Sequence, residues 1–482
     1  GRPDADHAGR ARMLARTLSR HRSGGRVMDA ERRNAALAHG LAKARAAGAD
    51  DVEISYCGLE TQFTRFASSR FTQVGSSWDD AVRIRTLVDG RLGAQVCASL
   101  DHDRLGVAAA DAVAAARLSP TLDVALAFAA GAGDDEPIAS PRPALPSELS
   151  ATGAPAVLAR AFAPHRTRGV TFAGAIKTRQ HVFAVRTAAG LARDFENASA
   201  EAHLIALLED SSSGYAGACG GAGSVCFDLE SLAKRAADTA LRSRGAIELE
   251  PGAYDAVLAP AAIAEVLEWM AEVSFPATSI IEGASLLCDR QGKPLCDPAI
   301  TIEDRIGPDD APFDAEGTPR APVTFIDAGR GGSPLTCLVT AARLGDPRGS
   351  TGHAPAVTDE WSLGPSPCHL RMHAGDKTEE ELIASVDRGL YVTRLHYVNG
   401  LLDPRNATTT GMTRDGTFLI KGGRLGPAVR NMRFTEPMLE AFSRLGGLGS
   451  EVRDVPTWWT EAGTISVPAM LIPGFHFTGK SR

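Results

Sequence analysis

One short segment of the sequence gathers side chains that bind transition metals. Cys368, His369 and His373 offer a thiol and two imidazoles, the ligand types that zinc prefers. The surrounding residues are typical of a β-strand, in which the two histidines would share a face about 13 Å apart, at about 3.3 Å per residue. Because zinc ligands lie about 2 Å from the ion, a straight strand separates them too far. The segment is therefore predicted to be structural or to line a pocket, with a metal site as the alternative.

A second group of reactive side chains lies on the helix predicted at Pro260–Val273. Its sequence, PAAIAEVLEWMAEV, carries Glu265, Glu268 and Glu272 but no histidine. Zinc favours imidazole or thiolate ligands, and carboxylates spread around a helix do not replace them. We therefore expect no metal ligand in this helix and assign no catalytic residue to this chain.

Other candidate catalytic patterns are weak. Asp314 and Glu316 lie in a loop bounded by proline and glycine, where an acid–base pair is possible but turn capping or ion pairing is expected. The chain has no Gly-x-Ser-x-Gly nucleophile motif. The stretch 211–221 is rich in serine and glycine but lacks the spacing of a phosphate-binding loop. It is predicted to be a surface loop or a glycine-rich edge.

The stretch 382–435 is predicted to form one helix followed by antiparallel strands. The helical spacing of Ile383, Val386 and Leu390 favours a helix that stops at Gly389, and Lys421-Gly422-Gly423-Arg424 predicts a hairpin. The exposed face of the strands is expected to carry Arg394, His396, Arg405, Arg414 and Arg430.

Four residues are predicted to bind substrate: His396, Tyr397, Arg405 and His369. Charged groups are seldom buried without a partner, so those near the turns of the meander should form ion pairs or face a cavity. The ring and hydroxyl of Tyr397 would suit the side of a bound amide.

Composition limits the class of protein. A chain of 482 residues exceeds one typical core and predicts two large domains. The net charge of −7 argues against a general nucleic-acid binder. No apolar run is long enough to span a membrane, and no secretion signal is evident at the start. The eight cysteines include no C-x-x-C pair and are expected to be reduced thiols in a cytoplasmic protein.

The predicted fold class is α+β, with two large domains that each combine an antiparallel sheet with packed helices. Residues 1–27 form a basic extension, residues 28–244 an N-terminal domain with a linker near 131–147, and residues 245–482 a C-terminal domain. Asp89-Gly90 predicts a hairpin turn in the first domain. In the second, Trp458-Trp459 is assigned to core packing or a partner contact, and the chain is expected to finish on an edge strand.

The order and spacing of several motifs resemble the TldD/PmbA family. These motifs are VRIR at 82–85, DGRLGA at 89–94, PFDAEG at 312–317, GLYVT at 389–393, TTGMTRDGTFLI at 409–420 and GPAVRN at 426–431. Members of that family form a heterodimeric metallopeptidase, in which one subunit carries zinc on a helix with the pattern H-E-x-x-x-H. The corresponding helix here, Pro260–Val273, has no histidine.

The resemblance therefore implies a TldE/PmbA-type subunit without zinc. A TldD-like partner would supply the zinc, the general base and the water, while this chain would form part of the substrate cavity. The substrate would be a peptide or another amide, with no nucleic acid or membrane as a partner. Two alternatives stay open. In the first, the pair acts on a small amide in natural-product (antibiotic) biosynthesis. In the second, the chain is a scaffold that binds a peptide or ligand without hydrolysing it.

Overall fold

The computed structural model describes residues 30–131, 144–225, 227–307, 309–355, 364–456 and 464–480. Helices and three β-sheets combine in an α+β fold, which confirms the predicted class. The predicted basic extension, the central part of the predicted linker and Trp458-Trp459 lie outside the described residues. Within the described part, no helix is both long and apolar enough to cross a membrane.

The first sheet is antiparallel and has six strands in the order β3-β2-β1-β4-β5-β6. These strands are β1 (Asp51–Ala67), β2 (Arg70–Val88), β3 (Arg91–Cys97), β4 (Thr171–Thr187), β5 (Ala192–Leu207) and β6 (Ser213–Gly221). The predicted turn at Asp89-Gly90 joins β2 to β3, with both residues at positive φ. β1 and β4 are each one long strand where shorter separate strands were predicted, because they pair with each other over most of their length.

Four helices cover this sheet: α1 (Ala30–Ala46), α2 (His102–Leu118), α3 (Ala154–Phe162) and α4 (Leu229–Arg242). α1 and α2 share one apolar cluster with β1 and β2, centred on Leu37, Ile54 and Leu105. α3 and α4 form a second cluster with β4 and β5. Asp101 and Asp228 cap α2 and α4 by accepting backbone N–H groups of the first turn.

The predicted loop or glycine-rich edge at 211–221 is the edge strand β6. It pairs with β5 from Ser213 to Gly221 and packs against α4. A side chain at Gly214 would clash with the carbonyl oxygen of Ala236 in α4. Glycine therefore lets the helix lie close to the strand, and of the two predicted alternatives the glycine-rich edge is confirmed.

The C-terminal half contains the other two sheets. The larger has nine strands, eight of them in the order β13-β14-β17-β21-β7-β12-β15-β16, with β18 paired to β21. Its strands are β7 (Gly252–Leu258), β12 (Arg388–Val392), β13 (Leu395–Asp403), β14 (Thr408–Thr413), β15 (Thr417–Lys421), β16 (Arg424–Ala428), β17 (Met432–Pro437), β18 (Gly447–Leu448) and β21 (Met470–Lys480). The predicted hairpin joins β15 to β16.

The smaller sheet has six strands in the order β10-β9-β8-β11-β20-β19. Its strands are β8 (Ile302–Asp304), β9 (Val323–Asp327), β10 (Arg330–Gly331), β11 (His369–Met372), β19 (Arg453–Val455) and β20 (Thr464–Val467). Both C-terminal sheets are mainly antiparallel, but β7 pairs in parallel with β12, and β11 with β20. The prediction of an antiparallel sheet was therefore wrong for these two strand pairs.

The helices of this half are α5 (Pro260–Val273), α6 (Ala277–Ile281), α7 (Leu338–Leu344), α8 (Glu379–Ala384) and α9 (Met438–Ser443). α8 ends before the predicted stop at Gly389, because the next residues form β12 in the interior of the nine-stranded sheet. Val386 and Leu390 are buried there, so their apolar spacing reflects burial rather than a continued helix.

The last strand, β21, is not the predicted edge strand. It lies between β17 and β7, and Phe475 and Phe477 are buried in the core of the C-terminal half. α5 also contributes to this core and packs against both β13 and β20, so it contacts both C-terminal sheets.

Candidate functional site

Helix α5 borders two adjoining clefts in the C-terminal half. The first spans about 280 Å³ and the second about 230 Å³, volumes that include space open to solvent. Glu268 and Ile465 line both clefts, so the two openings follow each other along the helix. The remaining lining residues are Ala271, Glu272, Pro367, Cys368, Leu370 and Thr464 in the first, and Tyr215, Ala261, Ala264, Glu265, Arg394, Val455 and Pro456 in the second.

The second cleft is built by both halves of the chain. Arg394 is only 2% exposed, although it was predicted to lie on the exposed face of the meander, and that prediction was wrong. Its Nη1 donates to Asp415 Oδ2 at 2.9 Å, and its Nη2 lies 3.9 Å from Glu265 Oε1. The guanidinium also stacks over Tyr215 of β6, 4.3 Å from the ring centroid. Two carboxylates and an aromatic face thus balance the buried cation.

A row of polar side chains supports Tyr215 from the N-terminal sheet. The Tyr215 hydroxyl lies 3.0 Å from His203 Nδ1, and burial lowers the pKa of His203 to about 4. The imidazole is therefore neutral near pH 7. Arg179 donates two hydrogen bonds to Glu201, at 3.0 and 3.3 Å, and holds the pKa of that carboxyl below its ordinary value against the opposing effect of burial. Tyr215 is consequently fixed between this row and Arg394.

The polar side chains of α5 that line the clefts are carboxylates. Glu265 and Glu268 are buried and Glu272 is half-buried. Such groups can accept hydrogen bonds from amides or bind a cation, but α5 offers no imidazole or thiolate for zinc. A catalytic zinc site on this helix does not fit the residues present.

Three of the predicted substrate-binding residues lie at one end of the nine-stranded sheet. His396 and Tyr397 are neighbours on the edge strand β13, with ring centroids 4.5 Å apart, and Tyr397 is 61% exposed. Burial and the nearby cations Arg394 and Arg414 lower the pKa of His396. Arg405 lies on the short 3-10 turn after β13, 3.7 Å from Asp289. Their role in substrate binding stays a prediction, because none of them lines either cleft.

The fourth predicted residue, His369, lies on the other sheet. Its Nε2 is 2.9 Å from Ser466 Oγ, while His373 Nε2 is 2.9 Å from Glu303 Oε1. The two histidines therefore have different partners and do not converge, as the strand spacing predicted. Cys368 instead turns towards Asp304 and the first cleft.

The acidic pair Asp314 and Glu316 has the predicted structural role. Asp314 accepts the backbone N–H groups of Glu316 and Thr318 at 3.0 and 2.9 Å, which caps the turn. Glu316 forms an ion pair with Arg85 of β2 at 2.5 Å and accepts the N–H of Leu338 at the start of α7. The loop thus connects the C-terminal half to the N-terminal sheet.

Sequence reasoning missed Tyr215, Arg394 and the buried glutamates of α5 as members of one site. Tyr215 and Arg394 come from different halves of the chain, and no local sequence pattern predicts such a pair. The one available signal was the position of Tyr215 inside a glycine-rich stretch, where a single aromatic residue needs a packing partner.

Comparisons with known proteins agree with this architecture. Residues 251–479 match the family model described as the PmbA/TldA metallopeptidase C-terminal domain. A protein called a metalloprotease, from Methanothermobacter thermautotrophicus, is 26% identical over 243 residues, which are 49% of this chain and 52% of that protein. The chain thus spans about half the length of this curated relative.

Two solved structures share the fold across most of the chain. TldE from Thermococcus kodakarensis aligns with a TM-score of 0.77 at 17% identity, covering 92% of this chain and 100% of that one. A proposed modulator of a DNA gyrase from Thermotoga maritima aligns with a TM-score of 0.76 at 19% identity, covering 92% and 99%. At these identities, the likeness establishes the fold.

Proposed function

Because residues 251–479 form a C-terminal domain of the PmbA/TldA metallopeptidase family, we propose that this chain is the subunit without catalytic zinc in a two-subunit metallopeptidase. A TldD-like partner subunit supplies the zinc, and this chain supplies a wall of the substrate cavity. The pair hydrolyses a peptide or another amide bond.

The composition of α5 carries this proposal. In the zinc-bearing subunits of the family that the sequence resembles, the corresponding helix provides two histidines and a glutamate. Here the helix provides Glu265, Glu268 and Glu272 to the clefts and has no histidine anywhere along its length. Carboxylates alone are a poor set for zinc, so a hydrolytic zinc centre beside this helix needs ligands from another chain.

The clefts and the edge strand β13 support a role in holding substrate. An extended peptide can add to an exposed strand edge through backbone hydrogen bonds, while side chains beside the edge set specificity. β13 is the outermost strand of its sheet, and Tyr397 and Arg405 lie exposed at it and at the turn that follows. A small amide from natural-product biosynthesis would use the same surface and is the second substrate class to test.

The test is reconstitution with a zinc-bearing relative that contains H-E-x-x-x-H. The isolated chain should not hydrolyse unfolded peptides or small amides, and each subunit alone should be inactive, whereas the mixture should be active. A mixture in which the first histidine of the partner's motif is changed to alanine is the matched control and should be inactive. Hydrolysis by the purified chain alone, abolished by a substitution in this chain that leaves folding intact, would refute the proposal.

A further inference from the structure

One buried cluster brings together three metal-binding side chains from distant segments. Asp304 is the last residue of β8, His353 lies in the loop after α7, and Cys368 directly precedes β11. Their ligand atoms all lie within 4.8 Å of one another. His353 Nε2 is 2.8 Å from Asp304 Oδ2, and Cys368 Sγ is 3.5 Å from the same oxygen. Asp304 and His353 are fully buried, whereas Cys368 lines the first cleft.

The other polar atoms of Asp304 and His353 are held by surrounding groups. Asp304 Oδ1 accepts the backbone N–H groups of Cys368 and His369 at 3.0 and 2.7 Å, which directs Oδ2 towards the cluster. His353 Nδ1 lies 2.9 Å from the hydroxyl oxygen of Thr351. Support of this kind for the outer nitrogen of a histidine and the outer oxygen of a carboxylate is typical of metal ligands.

The hydrogen bonds of Thr351 hold the outer side of the His353 ring. The Thr351 hydroxyl oxygen accepts the backbone N–H of Thr336 at 2.8 Å and lies 2.9 Å from His353 Nδ1. His353 Nε2 and Asp304 Oδ2 are therefore fixed 2.8 Å apart and share one hydrogen, whose place a bound metal ion would take.

We propose that Asp304, His353 and Cys368 bind one divalent transition-metal ion of the zinc class. Nitrogen, oxygen and thiolate sulfur together form a ligand set that zinc accepts. In a tetrahedral zinc site these ligand atoms lie about 3.3 to 3.6 Å apart, given bond lengths of about 2.0 to 2.3 Å. The carboxylate and the thiolate neutralise the charge of the ion.

This proposal does not depend on the proposed function. It uses no residue of α5, and it differs from the Cys368, His369 and His373 set suggested by the sequence. The ion would tie β8, β11 and the loop containing His353 together. The sequence predicted no metal in this chain, and the proposed ion departs from that expectation at this cluster.

The test uses the purified full chain and zinc alone as the probe. After expression with added zinc and removal of loosely bound metal, elemental analysis should find about one zinc per chain. His353→Asn and Cys368→Ser should each lower zinc affinity by about tenfold or more, the size of effect seen when a site's supporting groups are altered. His369→Asn and Cys296→Ser are the matched controls and should keep wild-type zinc content, because neither residue belongs to the cluster.

A spectroscopic measurement keeps the test decisive even if a variant fails to fold. Cobalt(II) added to the metal-free wild-type chain should give a thiolate-to-cobalt charge-transfer band, which added zinc then removes. A folded wild-type chain without bound zinc and without this band would overturn the proposal, leaving a hydrogen-bonded cluster with a proton on the imidazole. Zinc that persists unchanged in both folded cluster variants would also overturn it, since the ion would then have other ligands.

Discussion

Arg394 shows how a single residue can connect the two halves of the molecule. Its guanidinium is buried between Asp415, Glu265 and the ring of Tyr215. From sequence it was expected to be exposed, because arginine is rarely buried. A buried arginine needs charge partners, and tertiary structure supplies them. Arg394 and Tyr215 are too far apart in sequence for a local pattern to predict their contact.

Replacing Arg394 tests this network. Arg394→Met leaves Asp415 buried without its cation, so we expect the free energy of unfolding to fall by about 3 to 5 kcal/mol. The matched control is Arg430→Met, because Arg430 is exposed and lies 4.0 Å from an exposed Glu248. That change should alter stability by no more than about 0.5 kcal/mol. Urea unfolding measures both, and equal effects of the two substitutions would contradict the assigned role of Arg394.

Glu53 predicts a pH dependence of stability. Glu53 is buried and forms an ion pair with Arg85, which also forms an ion pair with Glu316. The charge of Arg83 lowers the pKa of Glu53, and the charge of Asp314 raises it. Burial outweighs the attraction of Arg85 and raises the pKa of Glu53 from 4.5 to about 7. The folded protein therefore holds a proton that the unfolded chain has already lost. The stability from this proton is fully present below pH 4.5 and is lost as the pH rises through about 7.

Glu53→Gln removes that titration. The free energy of unfolding of the wild type, minus that of the variant, should fall as the pH rises from about 4.5 to about 7 and level off above it. Urea unfolding at several pH values measures this difference. Burial also raises the pKa of Asp314, to about 6, but this group titrates in both proteins and cancels to first order. A difference that rises with pH below about 4.5 and stays flat above it would mean that the attraction of Arg85 dominates and lowers the pKa of Glu53 instead.

At the scale of secondary structure, local signals predicted some elements well. The turns at Asp89-Gly90 and Gly422-Gly423 and the proline-initiated helix α5 all formed where the sequence indicated. Each depends on backbone preferences within a few residues. The early end of α8 and the interior position of β21 were not predicted, because distant strands decide them.

The Gly422-Gly423 turn offers a paired test of backbone and packing effects. Both residues have positive φ, 57° and 69°, so alanine at either position should cost about 1 to 2 kcal/mol of stability. At Gly422 an added Cβ meets nothing within 4 Å, whereas at Gly423 it would lie 2.6 Å from the carbonyl oxygen of Ala384. Gly423→Ala should therefore destabilise the protein more than Gly422→Ala in chemical unfolding. Equal losses would show that α8 moves aside at little cost.

At the scale of the whole molecule, the candidate site depends on contacts between the two halves. Ser213 Oγ donates to Asp415 Oδ1 at 2.7 Å across 202 positions of sequence, and Arg85 reaches Glu316 across 231. The sequence predicted the fold class and the absence of histidine on α5, which are properties of single segments. The composition of the second cleft follows from how the two halves meet, and therefore required the structure.

Substrate binding on the surface next to β13 would link this chain to catalysis by the proposed pair. Arg405 is exposed, and its partner Asp289, 3.7 Å away, is highly exposed as well. Because this ion pair lies in solvent, the guanidinium of Arg405 remains accessible to a substrate carbonyl or carboxylate. Arg405→Ala should lower kcat/KM of the reconstituted pair by about tenfold, the equivalent of about 1.4 kcal/mol for one lost charge-assisted hydrogen bond.

Formation of the pair should be unchanged in size-exclusion chromatography, because the substitution removes one exposed side chain. Arg430→Ala is the control and should keep wild-type kcat/KM, since Arg430 follows β16, at the opposite end of the sheet from β13. His396→Ala provides a second probe of the same surface. If Arg405→Ala and His396→Ala both keep wild-type kcat and KM, the substrate does not lie along β13, and the clefts beside α5 become the better candidate for its position.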